Sequence, residues 1–346
     1  MKVMRLFAWC LWVALLLPLT MAAADVQQTR EPKSDKEDVS KIGERDVDGS
    51  VNFYSIEKET ALGRQLAQDV ERNAKIITDP VISEYVNRVG QNLVRNSDAK
   101  VPFTIKAIDS EEVNAFALPG GFFFVNSGLI KLAETESELA GVMAHEIAHV
   151  TARHGTRQAT RGQITNLASI PAAIFLPGGW TGYGIYQGLN FAIPMTFLKF
   201  SRGFEKEADF LGLQYLYKSG YDPTSMVTFF ERMQALQKRK PGALSKAFAS
   251  HPPTGKRIEL IQEAMSELLP AQPQYVISTN EFGEVRERLI QLTSRAKRDD
   301  EGDPNKPTLR RKPSDGTIDP EDSGPNRDEE DEDERPTLKR KSLSLR

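Results

Sequence analysis

The sequence predicts an α+β fold that is mostly helical, with a small β-sheet beside the helices. Apolar residues recur at helical spacing over several long stretches, which is typical of amphipathic helices. Between residues 103 and 125, short runs instead alternate or flank a Pro-Gly-Gly turn signal, which indicates a few short strands. Hydrophobic residues make up 39% of the chain and charged residues 27%, values that fit a globular protein with polar extensions.

Size and charge limit the classes of function. The 346 residues suffice for one substantial core with extensions, or for two small domains. The formal net charge of −3 gives no electrostatic reason to expect nucleic acid, whose binding calls for a basic face or stripe. We therefore expect no nucleic-acid partner.

The first 24 residues have the order of a secretory signal peptide. Lys2 and Arg5 form a short basic region, an apolar run extends to about Leu19, and three alanines precede Asp25. This order predicts cleavage after Ala24 and export to a non-cytoplasmic compartment. The alternative is an uncleaved membrane anchor, but the run is shorter than the roughly 20 apolar residues that a spanning helix needs.

The only cysteine, Cys10, lies inside that apolar run. Cleavage of the signal peptide would leave a mature chain without cysteine, and therefore without disulfides. Any metal site in the mature chain would then have to use histidine and carboxylate ligands.

The elements of the first half follow in order. Residues 25–54 are polar and charged with few large apolar side chains, and we interpret them as a flexible lead-in. Helical patterns cover residues 56–73 and 79–96, and residues 103–108 alternate like a strand. Residues 114–125 predict two short strands around the turn signal.

A helix with recognisable start and stop signals is predicted after these two strands. Thr135 opens the sequence Thr-Glu-Ser-Glu, a capping box that satisfies the first free amides of a helix, and Gly155 is the predicted stop. Further helical patterns cover residues 204–219, 223–238 and 255–269. We expect these elements, from residue 55 to residue 270, to form one catalytic domain.

Residues 165–200 are apolar but are interrupted by prolines and glycines that would break a long helix. The plainest interpretation is a loop with short helices packed on the core. The alternatives are a mobile lid, a plug over the site, or a peripheral contact with a membrane surface. No uninterrupted apolar stretch is long enough to span a bilayer.

The C-terminal part is polar. Residues 271–296 contain a further amphipathic segment, and residues 297–346 consist mainly of charged residues, Pro and Gly, which predicts a disordered tail. In this tail, PTLRRK at residues 307–312 recurs as PTLKRK at residues 336–341. Biased composition is the favoured explanation of the recurrence, and the alternative is a repeated docking peptide.

Residues 145–149 read HEIAH, which is the HExxH pattern. His145 and His149 are four residues apart, so on a helix they project from one face and can bind one Zn²⁺ at roughly 2.0–2.1 Å. Glu146 lies about 100° around the helix, where its carboxylate can accept the proton of a water attacking a peptide carbonyl. The alternative, two surface histidines, is disfavoured because apolar flanking residues predict a buried helix.

A catalytic zinc needs a third protein ligand and one open position. His154 lies nine residues after His145, about 180° around a continuous helix, so we interpret it as a capping or packing residue. Glu205 and Asp209 are four apart and share one face of a predicted helix. We expect Glu205 to complete the ligands of one Zn²⁺ per chain and Asp209 to accept the second N–H of a zinc histidine.

The same acidic stretch contains Glu207, which lies about 200° around the helix from Glu205 and is expected to point to solvent. The alternative for the whole stretch is a solvated acidic face. The HExxH pattern elsewhere in the chain favours the interpretation as metal ligands.

Four separate motifs resemble the HtpX/BepA-type zinc metallopeptidases of the soluble periplasmic branch. They are NAFALPGG at residues 114–121, HEIAHVTARH at 145–154, SRGFEKEAD at 201–209 and SHPP at 250–253, and the resemblance covers roughly residues 55–265. It implies a zincin-like catalytic domain in which His145, His149 and Glu205 bind zinc, Glu146 is the base and Asp209 supports a ligand.

The resemblance also implies that His251 and Arg257 lie near the cleft. In the family the equivalent histidine approaches the metal and restrains activity, or contacts the substrate, and an imidazole is suited to both. The alternative for His251 is a structural turn before two prolines. We expect Arg257 to be among the residues that bind substrate.

For the segment with residues 114–121, the resemblance implies an edge strand beside the active-site cleft. Asn114, Ala115 and Phe116 would there bind the main chain of an extended substrate by β-augmentation. The alternative is an ordinary hairpin.

The expected activity is that of a zinc metalloendopeptidase acting on unfolded or misassembled envelope proteins, in protein quality control. The alternative is a chaperone-like binding module, in which the zinc site stays plugged and the charged tail recruits partners.

Overall fold

The computed structural model describes residues 29–49, 51–174, 200–239, 251–252 and 254–301. The predicted signal peptide, the tail beyond residue 301 and residues 175–199 of the apolar stretch lie outside the described residues. None of the described helices combines the length and the apolar content that a bilayer crossing requires.

The described part of the chain is an α+β fold that is mostly helical, as predicted. Its helices are α1 (Ile56–Asn73), α2 (Pro80–Arg95), α3 (Ser127–Leu132), α4 (Glu136–Thr151), α5 (His154–Ile174), α6 (Arg202–Lys218), α7 (Thr224–Arg239), α8 (Gly255–Leu268) and α9 (Asn280–Glu301). Its strands are β1 (Thr104–Ile108), β2 (Ala115–Leu118) and β3 (Phe122–Asn126). The predicted boundaries of the catalytic domain and of the amphipathic segment after it stay predictions.

Several helices begin directly after a Ser, Thr or Asp residue whose side chain caps the helix. The side chains of Asp79, Thr135, Ser201 and Thr254 accept hydrogen bonds from amides in the first turns of α2, α4, α6 and α8, respectively. Such caps satisfy amides that have no partner within the helix. Two of these caps define where α4 and α6, the helices that carry the metal motifs, begin.

The sheet has the order β1-β3-β2, with β1 parallel and β2 antiparallel to β3. Gly120 and Gly121 adopt φ values of 76° and 89° in the tight turn between β2 and β3, a region that favours glycine. Phe116 and Phe124 stack across this pair of strands, with ring centroids 5.3 Å apart. The strand β2 is one of the two edge strands of this sheet, and it packs against α4.

Helix α4 is buried along its whole length and packs against α6. Gly212 in α6 makes this approach possible, because a Cβ atom there would lie only 3.0 Å from the backbone of His145. The close contact of the two helices brings the HExxH motif and the acidic motif to one place.

The end of α4 differs from the prediction, because Gly155 does not terminate the helix. The helix ends at Thr151, and Arg153 adopts a left-handed φ of 54° before α5 begins. Its guanidinium holds this conformation through Glu59 at 2.8 Å and the carbonyl of Tyr54 at 2.5 Å. The chain thus turns sharply directly after the HExxH helix.

Residues 29–49 also differ from the prediction of a flexible lead-in. The side chain of Arg45 is completely buried and donates to Asp98 at 2.8 Å and to Gln214 at 2.7 Å. Tyr215 donates to the same carboxylate at 2.8 Å. Polar composition suggested a solvated segment, but a buried charge with good partners ties it to the helical core.

Candidate metal centre

Four buried side chains converge at the contact of α4, α6 and the segment before α8. They are His145, His149, Glu205 and His251, and their ligand atoms all lie within 4.8 Å of one another. Three of them are the metal ligands predicted from the sequence. The cluster is able to hold a metal ion.

The spacing of the donor atoms suits a small divalent cation. Nε2 of His145 lies 3.1 Å from Nε2 of His149, and each of these atoms lies 3.6 Å from an oxygen of Glu205. Tetrahedral zinc with bonds of about 2.0–2.1 Å separates its ligand atoms by about 3.4 Å. Two imidazole nitrogens and one carboxylate are also ligands that zinc prefers.

The side chain of Glu205 is ionised in this environment. Burial alone would raise its pKa, but the neighbouring imidazoles of His145 and His251 keep the pKa of Glu205 well below its usual value. Its Oε2 atom is buried and has no aligned hydrogen-bond donor among the described residues, although an Arg257 nitrogen lies 3.1 Å away. An ionised oxygen with unused lone pairs fits a metal ligand.

Asp209 lies behind His145, with Oδ1 at 3.0 Å from Nδ1 of the imidazole. Burial would raise the pKa of Asp209, but the hydrogen bonds from Arg257 and the nearby imidazole of His145 outweigh this effect and lower the pKa. A carboxylate at Nδ1 fixes the ring so that Nε2 offers its lone pair to a metal.

Arg257 is buried and is paired with protein groups. It donates to both oxygens of Asp209 at 2.7 Å and to the carbonyl of His251 at 3.1 Å. This geometry positions Asp209 and the segment that carries His251, because a buried guanidinium needs such partners. Substrate binding by Arg257 stays a prediction.

Glu146 points into the same space. Burial raises the pKa of Glu146, partly offset by the nearby His251 and His145 and by a hydrogen bond from the amide of Ala117. A raised pKa brings a carboxylate closer to the range in which a general base works at neutral pH. The contact with Ala117 places the carboxylate beside the edge strand β2.

His251 occupies the corner where the sequence predicted an open position. Its Nδ1 atom lies 2.7 Å from Oε1 of Glu205, and Nε2 lies 3.8 Å from Oε1 of Glu146. The ring therefore shields the space between the general base and the metal ligands in this conformation.

The predicted substrate-binding residues lie at the start of the edge strand. Asn114 directly precedes β2, its carbonyl accepts from the amide of Asn126 at 3.0 Å, and Ala115 and Phe116 are buried in the strand. The Oδ1 atom of Asn114 is buried and has no hydrogen-bond partner among the described residues. Binding of substrate by this strand stays a prediction.

The sequence analysis named His154 and Glu207 but did not connect them with His149. His154 is completely buried, with Nδ1 at 2.8 Å from Nδ1 of His149 and Nε2 at 3.1 Å from Oε2 of Glu207. The prediction assumed one continuous helix, but the turn at Arg153 brings His154 back to His149. The spacing of three histidines in HEIAHVTARH was the available signal.

Glu207 also departs from the prediction, because it does not point freely to solvent. Burial would raise the pKa of Glu207, but the hydrogen bond from His154 and the charge of Arg157 lower it to about 2. A residue that the sequence analysis missed is Phe200, whose ring stacks on His149 at 4.1 Å between centroids.

Comparison with known proteins identifies a family and several relatives that this chain resembles. The model of peptidase family M48 matches residues 80–265. The beta-barrel assembly-enhancing protease of Escherichia coli (strain K12) is 32% identical over 246 residues, which cover 68% of this chain and 49% of that protein. The mitochondrial metalloendopeptidase OMA1 of Schizosaccharomyces pombe is 36% identical over 188 residues, 53% of each chain.

A putative beta-barrel assembly-enhancing protease of Vibrio cholerae serotype O1 is 38% identical over 187 residues, 52% of this chain and 38% of that protein. The chain spans about half the length, or less, of the assembly-enhancing relatives that it matches. The family model covers more than half of the chain, and the resemblance seen in the four motifs is thereby confirmed. This protein belongs to peptidase family M48.

Proposed function

We propose that the protein is a zinc metalloendopeptidase that hydrolyses peptide bonds in unfolded or misassembled envelope proteins. The observation that carries the proposal is the position of Glu146, buried beside the cluster of His145, His149 and Glu205 and beside the edge strand. A general base, a metal-binding set and a strand edge together are the parts that peptide hydrolysis needs.

His145, His149 and Glu205 would hold the zinc ion, which would lower the pKa of a bound water and polarise the scissile carbonyl. Glu146 accepts the proton of the attacking water and passes it to the nitrogen of the leaving amine. The pKa of Glu146, which burial raises above its usual value, supports both steps, because a carboxylate with a raised pKa is a better proton acceptor.

The edge strand β2 is the proposed binding site for the peptide main chain. An extended substrate that pairs with β2 gains backbone hydrogen bonds that depend little on its side chains. This mode suits unfolded chains, which offer free main-chain groups, and it lays the substrate beside Glu146 through Ala117.

The proposed setting is the bacterial envelope. Four relatives are named beta-barrel assembly-enhancing protease, which supports a role near outer-membrane protein assembly. The signal peptide at residues 1–24 would export the chain to the periplasm, and the charged tail would contact assembly machinery. A membrane contact through residues 165–200 is part of the same proposal.

A second candidate function is a binding module whose site stays plugged. The observation that favours it is the hydrogen bond from His251 to Glu205, which closes the position that water and substrate need. In this alternative the protein holds misassembled chains without cleaving them.

Cleavage assays separate the two candidates. Mature protein, Glu146→Gln and His251→Ala are each incubated with casein and with a misfolded outer-membrane β-barrel, and zinc content is measured in parallel. We expect wild-type protein to cleave and Glu146→Gln to bind zinc without cleaving. Cleavage by the Glu146→Gln protein would refute the assigned base, and binding without cleavage by all three would favour the plugged module.

A further inference from the structure

We infer that His154 and Glu207 are positioning residues that hold the ring of His149 with its Nε2 lone pair directed at the metal. The inference rests on the proposed zinc site and concerns side chains that the HExxH pattern does not include. Three groups form a continuous line, with contacts of 2.8 Å from His149 to His154 and 3.1 Å from His154 to Glu207.

The direction of each hydrogen bond follows from Glu207. Arg157 lies 3.1 Å from one carboxylate oxygen and Lys36 lies 3.2 Å from the other, so the carboxylate is paired as an anion. An ionised carboxylate only accepts hydrogen bonds. The facing atom, Nε2 of His154, must therefore carry the hydrogen.

The tautomer of His154 in turn determines the tautomer of His149. A neutral imidazole with hydrogen on Nε2 has an acceptor at Nδ1, and Nδ1 of His154 faces Nδ1 of His149. His149 must then donate from Nδ1, which leaves its lone pair on Nε2. That atom is the one that faces His145 and Glu205 in the cluster.

The two histidines of the motif thus reach carboxylates in different ways. His145 contacts Asp209 directly at 3.0 Å, whereas His149 reaches Glu207 through the ring of His154. Both arrangements fix the tautomer and the orientation of a metal ligand and raise its basicity.

The packing around His154 prevents its ring from turning away. The side chain is fully buried and stacks on Phe204, with centroids 4.4 Å apart and an interplanar angle of 24°. On the other side of the line, Phe200 stacks on His149. Aromatic contacts on both rings favour one orientation of the hydrogen-bonded pair.

Metal affinity tests the inference independently of peptidase activity. Zinc affinity of the mature protein is measured by competition with a chromophoric chelator, and the visible absorption of the Co²⁺-substituted protein reports the ligand geometry. The variants are His154→Phe, which retains an aromatic ring against Phe204, and Glu207→Gln, which retains an acceptor oxygen but no charge. Glu136→Gln is the control, because it removes a buried carboxylate on α4 that accepts from Tyr221 and does not contact His149.

We expect zinc affinity to fall by about 10–100-fold in His154→Phe and by less in Glu207→Gln, with changed cobalt spectra in both. The control should lose thermal stability and retain wild-type affinity and spectrum. Wild-type affinity in both site variants would overturn the inference, as would an equal loss in the control. If His154→Phe does not fold, Glu207→Gln decides alone, and a wild-type protein that binds no zinc would instead refute the proposed function.

Discussion

His251 and Glu205 form a direct hydrogen-bonded contact, with Nδ1 of the imidazole 2.7 Å from Oε1 of the carboxylate. The other ring nitrogen lies 3.8 Å from Oε1 of Glu146. One imidazole therefore touches both a proposed metal ligand and the proposed general base. A substrate carbonyl that needs the same space has to displace this ring.

Removing the imidazole should relieve this obstruction. We expect His251→Ala to cleave casein about tenfold faster or more, if the displaced conformation makes up a tenth or less of the wild-type population. Zinc content should stay at one per chain, because His145, His149 and Glu205 remain. Slower cleavage by a zinc-loaded, folded variant would show that His251 assists catalysis.

Gly212 sets the separation of the two metal-binding helices. A Cβ atom at this position would lie 3.0 Å from the backbone of His145, which cannot move without displacing α4. We expect Gly212→Ala to lower the free energy of unfolding by about 1–3 kcal/mol and to weaken zinc binding. Chemical unfolding and chelator competition measure the two effects.

Gly162 provides the matched control for that variant. It lies in α5, and a Cβ atom added there would meet no other atom within 4 Å, so alanine has room at this position. We expect Gly162→Ala to raise the free energy of unfolding by about 0.5–1 kcal/mol and to leave zinc binding unchanged. Equal behaviour of the two variants would show that close helix packing at Gly212 does not control the metal site.

The pairing of Arg45 with Asp98 predicts that the N-terminal segment stabilises the whole domain. Both side chains are 0% exposed, so Arg45→Met leaves a buried carboxylate without its cation. We expect a loss of about 3–5 kcal/mol in the free energy of unfolding. The double variant Arg45→Met/Asp98→Asn should recover part of this loss, and a change below about 0.5 kcal/mol in the single variant would contradict burial of the segment.

Glu37 makes the stability of the same segment depend on pH. A hydrogen bond from Arg30 and a second from the amide of Lys33 lower the pKa of Glu37 from 4.5 to about 2. Because the pKa is lower in the folded state, the stabilisation is complete above the unfolded pKa and is lost as pH falls towards the folded one.

The measurement is urea unfolding of wild-type protein and Glu37→Gln across this pH range. We expect the stability difference between them to be constant above about pH 5 and to shrink as the pH falls towards about 2. A difference that does not change with pH would show that the carboxylate charge contributes nothing. The salt dependence should be marked, because the side chains of Arg30 and Glu37 are partly exposed.

Local periodicity explains which parts of the fold and of the site could be predicted. The four-residue spacings of His145 with His149 and of Glu205 with Asp209 each define one helix face, and in the structure those faces meet. The alternation before the Pro-Gly-Gly turn likewise predicted the small sheet. Helix and strand periods are properties of the chain that need no knowledge of distant contacts.

The contacts of His154, Glu207 and Arg45 depended on tertiary structure. His154 reaches His149 only because Arg153 adopts a left-handed conformation, and Glu59 holds it there from a helix almost a hundred positions earlier in the chain.

The same physical reason applies to Glu207 and Arg45. By composition alone each is a surface charge. Removal from solvent, which is complete for the Arg45 side chain and partial for Glu207, became favourable only where the fold supplied a partner of opposite charge. The sequence by itself determined the elements and the metal-binding motif, whereas the packing of elements far apart in the chain decided which charges surround it.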